Sequence, residues 1–317
     1  MRFVLSIFLM LSSLPLAQGE TRYPPVSVPL SLIQVTEHVY YAQGAAGVAT
    51  DNEGYISNAG VIVTDAGVVV FDALGTPSLA QRLLEEIGKI TSQPVVKVVV
   101  SHYHADHIYG LQVFAEAGAE ILAPLGVERY LRSDNARSRL EERRISLYPW
   151  VDESTRLVEP DRYVGAPERF ELGGIEFLLT PVGSAHSDSD MTLYVVNDRV
   201  LFSGDVIFEG RVPFLGDANT GHWLKVLEEL EERRLRALIP GHGGMAEHPN
   251  QAIALTRRYL AYLREQMGAA VADFVPFDEA YRSTDWSEFE DLPAFDAANR
   301  RNAYQVYLSM EAEAFSP

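Results

Sequence analysis

Cysteine is absent from the 317 residues. That excludes disulfide bonds, a thiolate nucleophile and thiolate metal ligands, so a metal would have to be held by imidazole and carboxylate. Positive charge is also scarce: 26 Lys and Arg stand against 44 Asp and Glu, a formal net charge of −18. So acidic a chain repels phosphate backbones, which argues against a nucleic-acid partner and leaves a small-molecule substrate as the expectation. The N-terminal apolar run, residues 3–16, is shorter than the roughly 20 residues of a membrane-spanning helix. Met1-Arg2 precedes it and Ala17-Gln18-Gly19 follows, the pattern of a signal peptide (1–19) cleaved before Glu20. The expectation is a periplasmic or secreted chain with no stable membrane insertion after cleavage; a membrane anchor or an N-terminal helix is the alternative. About 300 residues then remain, enough for a large core without covalent staples. Nothing in the sequence sets an oligomeric state.

What is present is concentrated in Ser101-His102-Tyr103-His104-Ala105-Asp106-His107. The run follows the apolar stretch 95–100, which reads as a buried strand, and precedes 108–114, which reads as the start of a helix. Side chains two apart in extended backbone share a face, so His102 and His104 can reach one metal ion. Asp106 and His107 lie where the chain turns into the helix and point elsewhere, which suits two metals side by side. Two metals need more than four ligands. Three further candidates sit at strand ends or in small-residue loops: His186 after the strand 175–179, Asp205 after Leu201-Phe202-Ser203-Gly204, and His242 in Pro240-Gly241-His242-Gly243. Small neighbours let backbone approach a crowded centre.

The His-x-His-x-Asp-His run, then a single His, then Gly-Asp and then Gly-His, in that order, resembles the metallo-β-lactamase superfamily. Asp72, closing Val68-Val69-Val70-Phe71-Asp72, matches that family's early Asp. The resemblance spans about residues 35–245. It implies an α/β fold, a four-layer αββα sandwich with the metals at one edge. It implies two Zn2+ per chain, one held by His102, His104 and His186 and the other by Asp106, His107 and His242, with Asp205 bridging and Asp72 bonding the ligand loop. It implies hydrolysis by a hydroxide held between the metals, with Asp106 orienting it and accepting its proton. Lactamases of this superfamily usually carry Cys or Ser near the position of Asp205. The Gly-Asp element looks instead like glyoxalase II, the lactonases, and the exported zinc metallohydrolases of sulfur oxidation and quinoprotein relay systems. The expected reaction is cleavage of a thioester or lactone. The alternatives are β-lactam hydrolysis, a mononuclear iron dioxygenase of the persulfide type using His102, His186 and Asp205, and a non-catalytic metal-binding partner of a periplasmic redox system.

Around the motifs, 37–43 reads as an opening strand, 58–64 and 67–72 as a hairpin, and 78–90 as an amphipathic helix. The metallo-β-lactamase-fold domain is expected over 20–248 and a helical extension over 249–317. Ile253, Thr256, Leu260, Leu263 and Met267 recur at helical spacing. Phe274, Phe277, Tyr281, Trp286, Phe289, Phe295, Tyr304 and Tyr307 follow, an aromatic segment expected to dock on the sandwich, with a wall of the substrate pocket as its alternative role. The arginines of 126–161 alternate with Glu and read as a solvated helix with local ion pairs, an anion-guiding role being the alternative. His38, His222 and His248 are assigned to no metal.

Overall fold

A computed structural model describes residues 22–315 apart from 217 and 232; the expected signal peptide lies outside the described residues. Two sheets face each other. The first has seven strands in sequential order: β1 (Leu32–Gln34), β2 (Val39–Ala42), β3 (Ala59–Thr64), β4 (Gly67–Phe71), β5 (Val95–Val99), β6 (Glu120–Pro124) and β7 (Arg162–Val164). It is antiparallel from β1 to β4 and parallel from β4 to β7. The second sheet comprises β8 (Glu168–Leu172), β9 (Ile175–Gly183), β10 (Asp190–Val195), β11 (Val200–Gly204) and β12 (Ala237–Pro240). It is antiparallel except for the β11–β12 pair.

Strand periodicity builds the layers. On β4, Val69 and Phe71 meet Phe177, Leu193 and Phe202 of the second sheet, while Val68 and Val70 face helices. Those helices are α1 (Pro77–Ile90), α2 (Ala105–Ile108), α3 (Leu111–Glu116), α4 (Val127–Leu131) and α5 (Asp134–Ser146). Thr76 caps α1 by accepting from Leu79 N at 3.1 Å, Pro77 opens it, and Leu79, Leu83 and Ile87 form its buried stripe. On the other side lie α6 (Thr220–Glu231), α7 (Pro249–Ala272), α8 (Phe277–Ser283) and α9 (Phe295–Ala314). Ile253, Thr256, Leu260, Leu263 and Met267 of α7 are all buried. The fold is thus helices, sheet, sheet, helices: the four-layer αββα sandwich with a C-terminal helical region.

Three details depart from the sequence reading. A short strand, β1, precedes the expected opening strand. The helix expected over 108–114 is two, broken at Gly110, because that residue packs directly on Ala73 O, where a Cβ would overlap, and donates to Leu74 O at 3.2 Å. Phe274 does not dock: it takes a left-handed φ of 55° as the chain leaves α7, which aims it at solvent, 82% exposed. Phe289, by contrast, is fully buried.

Candidate metal centre

The carboxyl ends of β4, β5, β11 and β12 and the exit of β9 converge at one edge of the sandwich, where open α/β sheets place their sites. Asp72 leaves β4 in left-handed backbone, φ 64°. Its Oδ1 accepts Ser101 N at 2.7 Å, and its Oδ2 accepts Ser101 Oγ at 2.7 Å and His107 Nδ1 at 2.8 Å. With its proton committed to Asp72, Ser101 Oγ accepts from His102 Nδ1 at 2.9 Å. One carboxylate therefore orients two imidazoles, His107 directly and His102 through a hydroxyl. Both are left with the Nε2 lone pair turned toward the centre. His242 Nδ1 donates to Ile56 O at 2.7 Å and is set the same way.

The inward atoms form two groups: His102, His104, His186 and Asp205 in one, and Asp106, His107 and His242 in the other. In the first, His104 Nδ1 lies 2.9 Å from His102 Nε2 and 3.0 Å from His186 Nε2. In the second, Asp106 Oδ2 lies 3.2 Å from His242 Nε2 and 3.5 Å from His107 Nε2. Asp205 borders both. Its Oδ2 is 3.3 Å from His186 Nε2 and 3.3 Å from His242 Nε2, and its Oδ1 is 3.4 Å from His107 Nε2. All seven residues singled out from the sequence meet here, in the two groups expected.

The residues fit divalent cations. His107 Nε2 and Asp205 Oδ1 are buried without a hydrogen-bond partner among the described residues. Such atoms are costly unless a cation meets them. Edges of about 3 Å between nitrogens are near the ~3.3 Å that tetrahedral zinc with ~2.0 Å bonds would set. The donors are imidazole and carboxylate only, a set that suits zinc.

The electrostatics agree. Burial pushes His186 down to about 3 and His102 well below its usual value, so both are neutral as ligands must be. Burial opposes ionisation of Asp106 and Asp205, but His107 and His242 outweigh it and hold both carboxyls below the usual range. For His107, burial is overcome by Asp106, Asp205 and Asp72, which raise it to about 9; His242 is raised well above its usual value by Asp205 and Asp106. At His107 a proton and a metal therefore compete for Nε2.

Several supporting residues were not identified from the sequence. Asp190 accepts from Ala185 N at 3.0 Å, Ser187 N at 2.9 Å and Ser187 Oγ at 2.9 Å, pinning both flanks of His186. The polar run Ser187-Asp188-Ser189-Asp190 was the available signal. Asn58 donates to Pro240 O at 2.8 Å and Gly243 O at 2.9 Å and so ties down the His242 loop. Gly241 is required because a Cβ there would overlap Asp205 Oδ1.

A cavity of about 480 Å³ opens over the centre and exposes His104, Asp106, Asp205 and His242 to it. Phe208 and Phe214 line it, with Phe208 nearly parallel to His242 at a centroid distance of 6.1 Å. Arg139 and Arg143 of α5 line it too, so the arginine-rich helix is only partly a solvated face. The expected ion pairs Arg139–Glu142 and Arg144–Glu141 are nonetheless formed, at 2.9 and 2.5 Å. Arg301 of α9 also reaches the cavity, so the C-terminal segment both docks and walls the pocket. His38 bonds Asp198 and His222 bonds Val182 O; neither joins the centre.

Comparison with known proteins agrees with this geometry. The family model of the metallo-beta-lactamase superfamily matches residues 52–242. Metallo-beta-lactamase IND-1 of Chryseobacterium indologenes is 27% identical over 256 residues, 78% of this chain and 94% of that protein. Among solved structures, a metallo-beta-lactamase from Pontibacter korlensis superposes with a TM-score of 0.61 at 18% identity, covering 74% of this chain and 99% of that one. The inverting sec-alkylsulfatase Pisa1 from Pseudomonas sp. gives 0.68 at 20% identity, over 91% of this chain and 52% of that one; at these identities the likeness is one of fold. The chain belongs to the metallo-beta-lactamase superfamily of metal-dependent hydrolases.

Proposed function

We propose that the centre holds two zinc ions, His102, His104 and His186 on one and Asp106, His107 and His242 on the other, and that the enzyme hydrolyses an activated acyl bond. The observation that carries this is the Asp205 carboxylate, within 3.4 Å of imidazoles of both groups. Zinc, when bound, supplies Lewis acidity and lowers the pKa of water toward about 7. The protein does the rest. Asp205 keeps the two groups together. Asp106 is buried enough to be held by His242 yet lines the cavity, so it can orient the attacking water and take its proton. Water oxygen joins the acyl carbon, the bond to the leaving atom breaks, and the proton from Asp106 goes to that atom. Phe208 and Phe214 give the cavity an apolar wall beside the centre.

Two readings of the bond have support. The names of the curated relatives favour a β-lactam, and of the two this has the more direct backing. The ligand set favours a thioester or lactone, in a glyoxalase II-like, exported branch: the position where lactamases usually carry Cys or Ser is Asp205, and the chain has no cysteine. Export is supported by the apolar run 3–16; among the described residues no helix is long and apolar enough to cross a membrane. Side-by-side kcat/KM values of the zinc-loaded enzyme on thioesters, lactones and β-lactams test the choice. Turnover of β-lactams orders of magnitude above every thioester and lactone would remove the second reading, and the reverse would remove the first.

A further inference from the structure

The cavity above the centre is cationic in a protein of net charge −18. Arg139, Arg143, Arg211 and Arg301 line it, and the only carboxylates among its lining residues, Asp106 and Asp205, belong to the histidine cluster. The four arginines come from separate parts of the fold. Arg139 and Arg143 are four apart on α5 and so share a helix face. Arg211 lies in the loop after β11, and Arg301 is on α9. Arg301 lies over the ring of Phe214, on the loop that carries Arg211, so these two border one stretch of the wall and the α5 pair another.

Their hydrogen-bonding capacity is far from used. Arg139 gives one bond to Glu142, and Arg143 reaches the same carboxylate only at 3.8 Å. Arg301 lies over the Phe214 ring at 5.0 Å, a contact that engages its face and leaves its edge free. Arg211 has a buried Nε–H with no partner among the described residues. A buried donor left unmade is costly, and an oxyanion is the partner a guanidinium fork fits best. Between these charges the wall is apolar, with Val48, Ile56, Phe208 and Phe214, and the volume of about 480 Å³ suits a small molecule.

We propose that the substrate carries an oxyanion group on each side of its scissile acyl bond, one held by Arg139 and Arg143 and the other by Arg211 and Arg301, with an apolar link against Phe208 and Phe214. This deepens the acyl-hydrolase reading and, for the bond between the two groups, rests on it.

The test uses four thioesters with one scissile bond: uncharged, carboxylate on the acyl part, carboxylate on the leaving part, and both. The dianion should exceed the uncharged compound at least 100-fold in kcat/KM, with the monoanions between, and the margin should shrink as salt is raised. Arg211→Gln should erase the advantage of a carboxylate at one end, and the double variant R139Q/R143Q the advantage at the other. Arg137→Gln, on the same helix but paired with Asp134 and absent from the cavity wall, should change neither ratio. An uncharged thioester within threefold of the dianion, or variants that keep both ratios, would overturn the proposal. Calorimetric binding of 1,3-benzenedisulfonate to the zinc-loaded protein gives a reading independent of turnover, since sulfonates are weak zinc ligands. Arg211→Gln should weaken it at least tenfold. If no acyl compound is cleaved but the disulfonate binds through the arginines, the acyl reading fails and the anion sites stand; if it binds wild type and Arg211→Gln equally, the anion sites fail.

Discussion

Asp72 touches no inward-facing atom of the centre, yet it sets the tautomer of one imidazole in each ligand group, His107 directly and His102 through Ser101. Its removal should act on both groups at once. Asp72→Ala is expected to lower zinc affinity about 10- to 100-fold and to destabilise the fold by roughly 1–3 kcal/mol, because Ser101 N–H loses its partner in a buried place. Competition with a chelator and a thermal melt measure the two effects; wild-type affinity would show that the bonds to Asp72 do not tune the ligands. Asp190 acts on one group only. In Asp190→Asn an amide N–H₂ replaces an acceptor facing Ser187, so the loop carrying His186 should loosen and zinc be lost first from the His102, His104 and His186 group. Equal loss from both groups, read by metal content at graded chelator concentrations, would contradict that assignment.

At the scale of elements, legibility followed locality. The strands 67–72 and 95–100 and the helix 78–90 were visible because their periodicity is written in adjacent residues and tertiary contacts only reinforced it. The seven site residues were visible because each follows an apolar strand or sits among small residues. The inward side of α5 was open only as an alternative: Arg139 and Arg143 share a face, but that this face lines the cavity is decided by the tertiary fold, which brings the 44–57 loop and Phe208 to the same place. Arg211 and Arg301 reach the same cavity from separate parts of the chain, the loop after β11 and the helix α9. That helix holds the pocket loop through Asn302, whose Oδ1 accepts Leu215 N at 3.1 Å and whose Nδ2 donates to Pro213 O at 2.6 Å and Tyr259 Oη at 3.0 Å. Asn302→Ala should therefore cost about 1–3 kcal/mol, a melting shift of several degrees, and raise KM more than it lowers kcat. A variant with unchanged melting and KM would show α9 to be packing alone.

For the whole molecule, metal and proton compete for the same atoms. In the metal-free protein the folded-state pKa of His107 is raised, from 6.5 to about 9, by Asp106, Asp205 and Asp72 against burial. Its contribution to stability is fully present below 6.5 and is lost as pH rises through about 9. Zinc must displace such protons, so its affinity should rise with pH over that window and binding should release protons. Calorimetry in two buffers of different ionisation enthalpy would show this as unequal apparent heats; equal heats would mean that the imidazoles were already unprotonated.

Seven ligand residues in two groups that share Asp205 as a neighbour would hold two zinc ions. Elemental analysis of protein purified from its host without added metal tests it most directly. About two zinc ions per chain are expected, with Asp205→Asn losing the metal held by Asp106, His107 and His242 and the coupling between the groups together. One metal per chain, or a preparation dominated by iron, would contradict it.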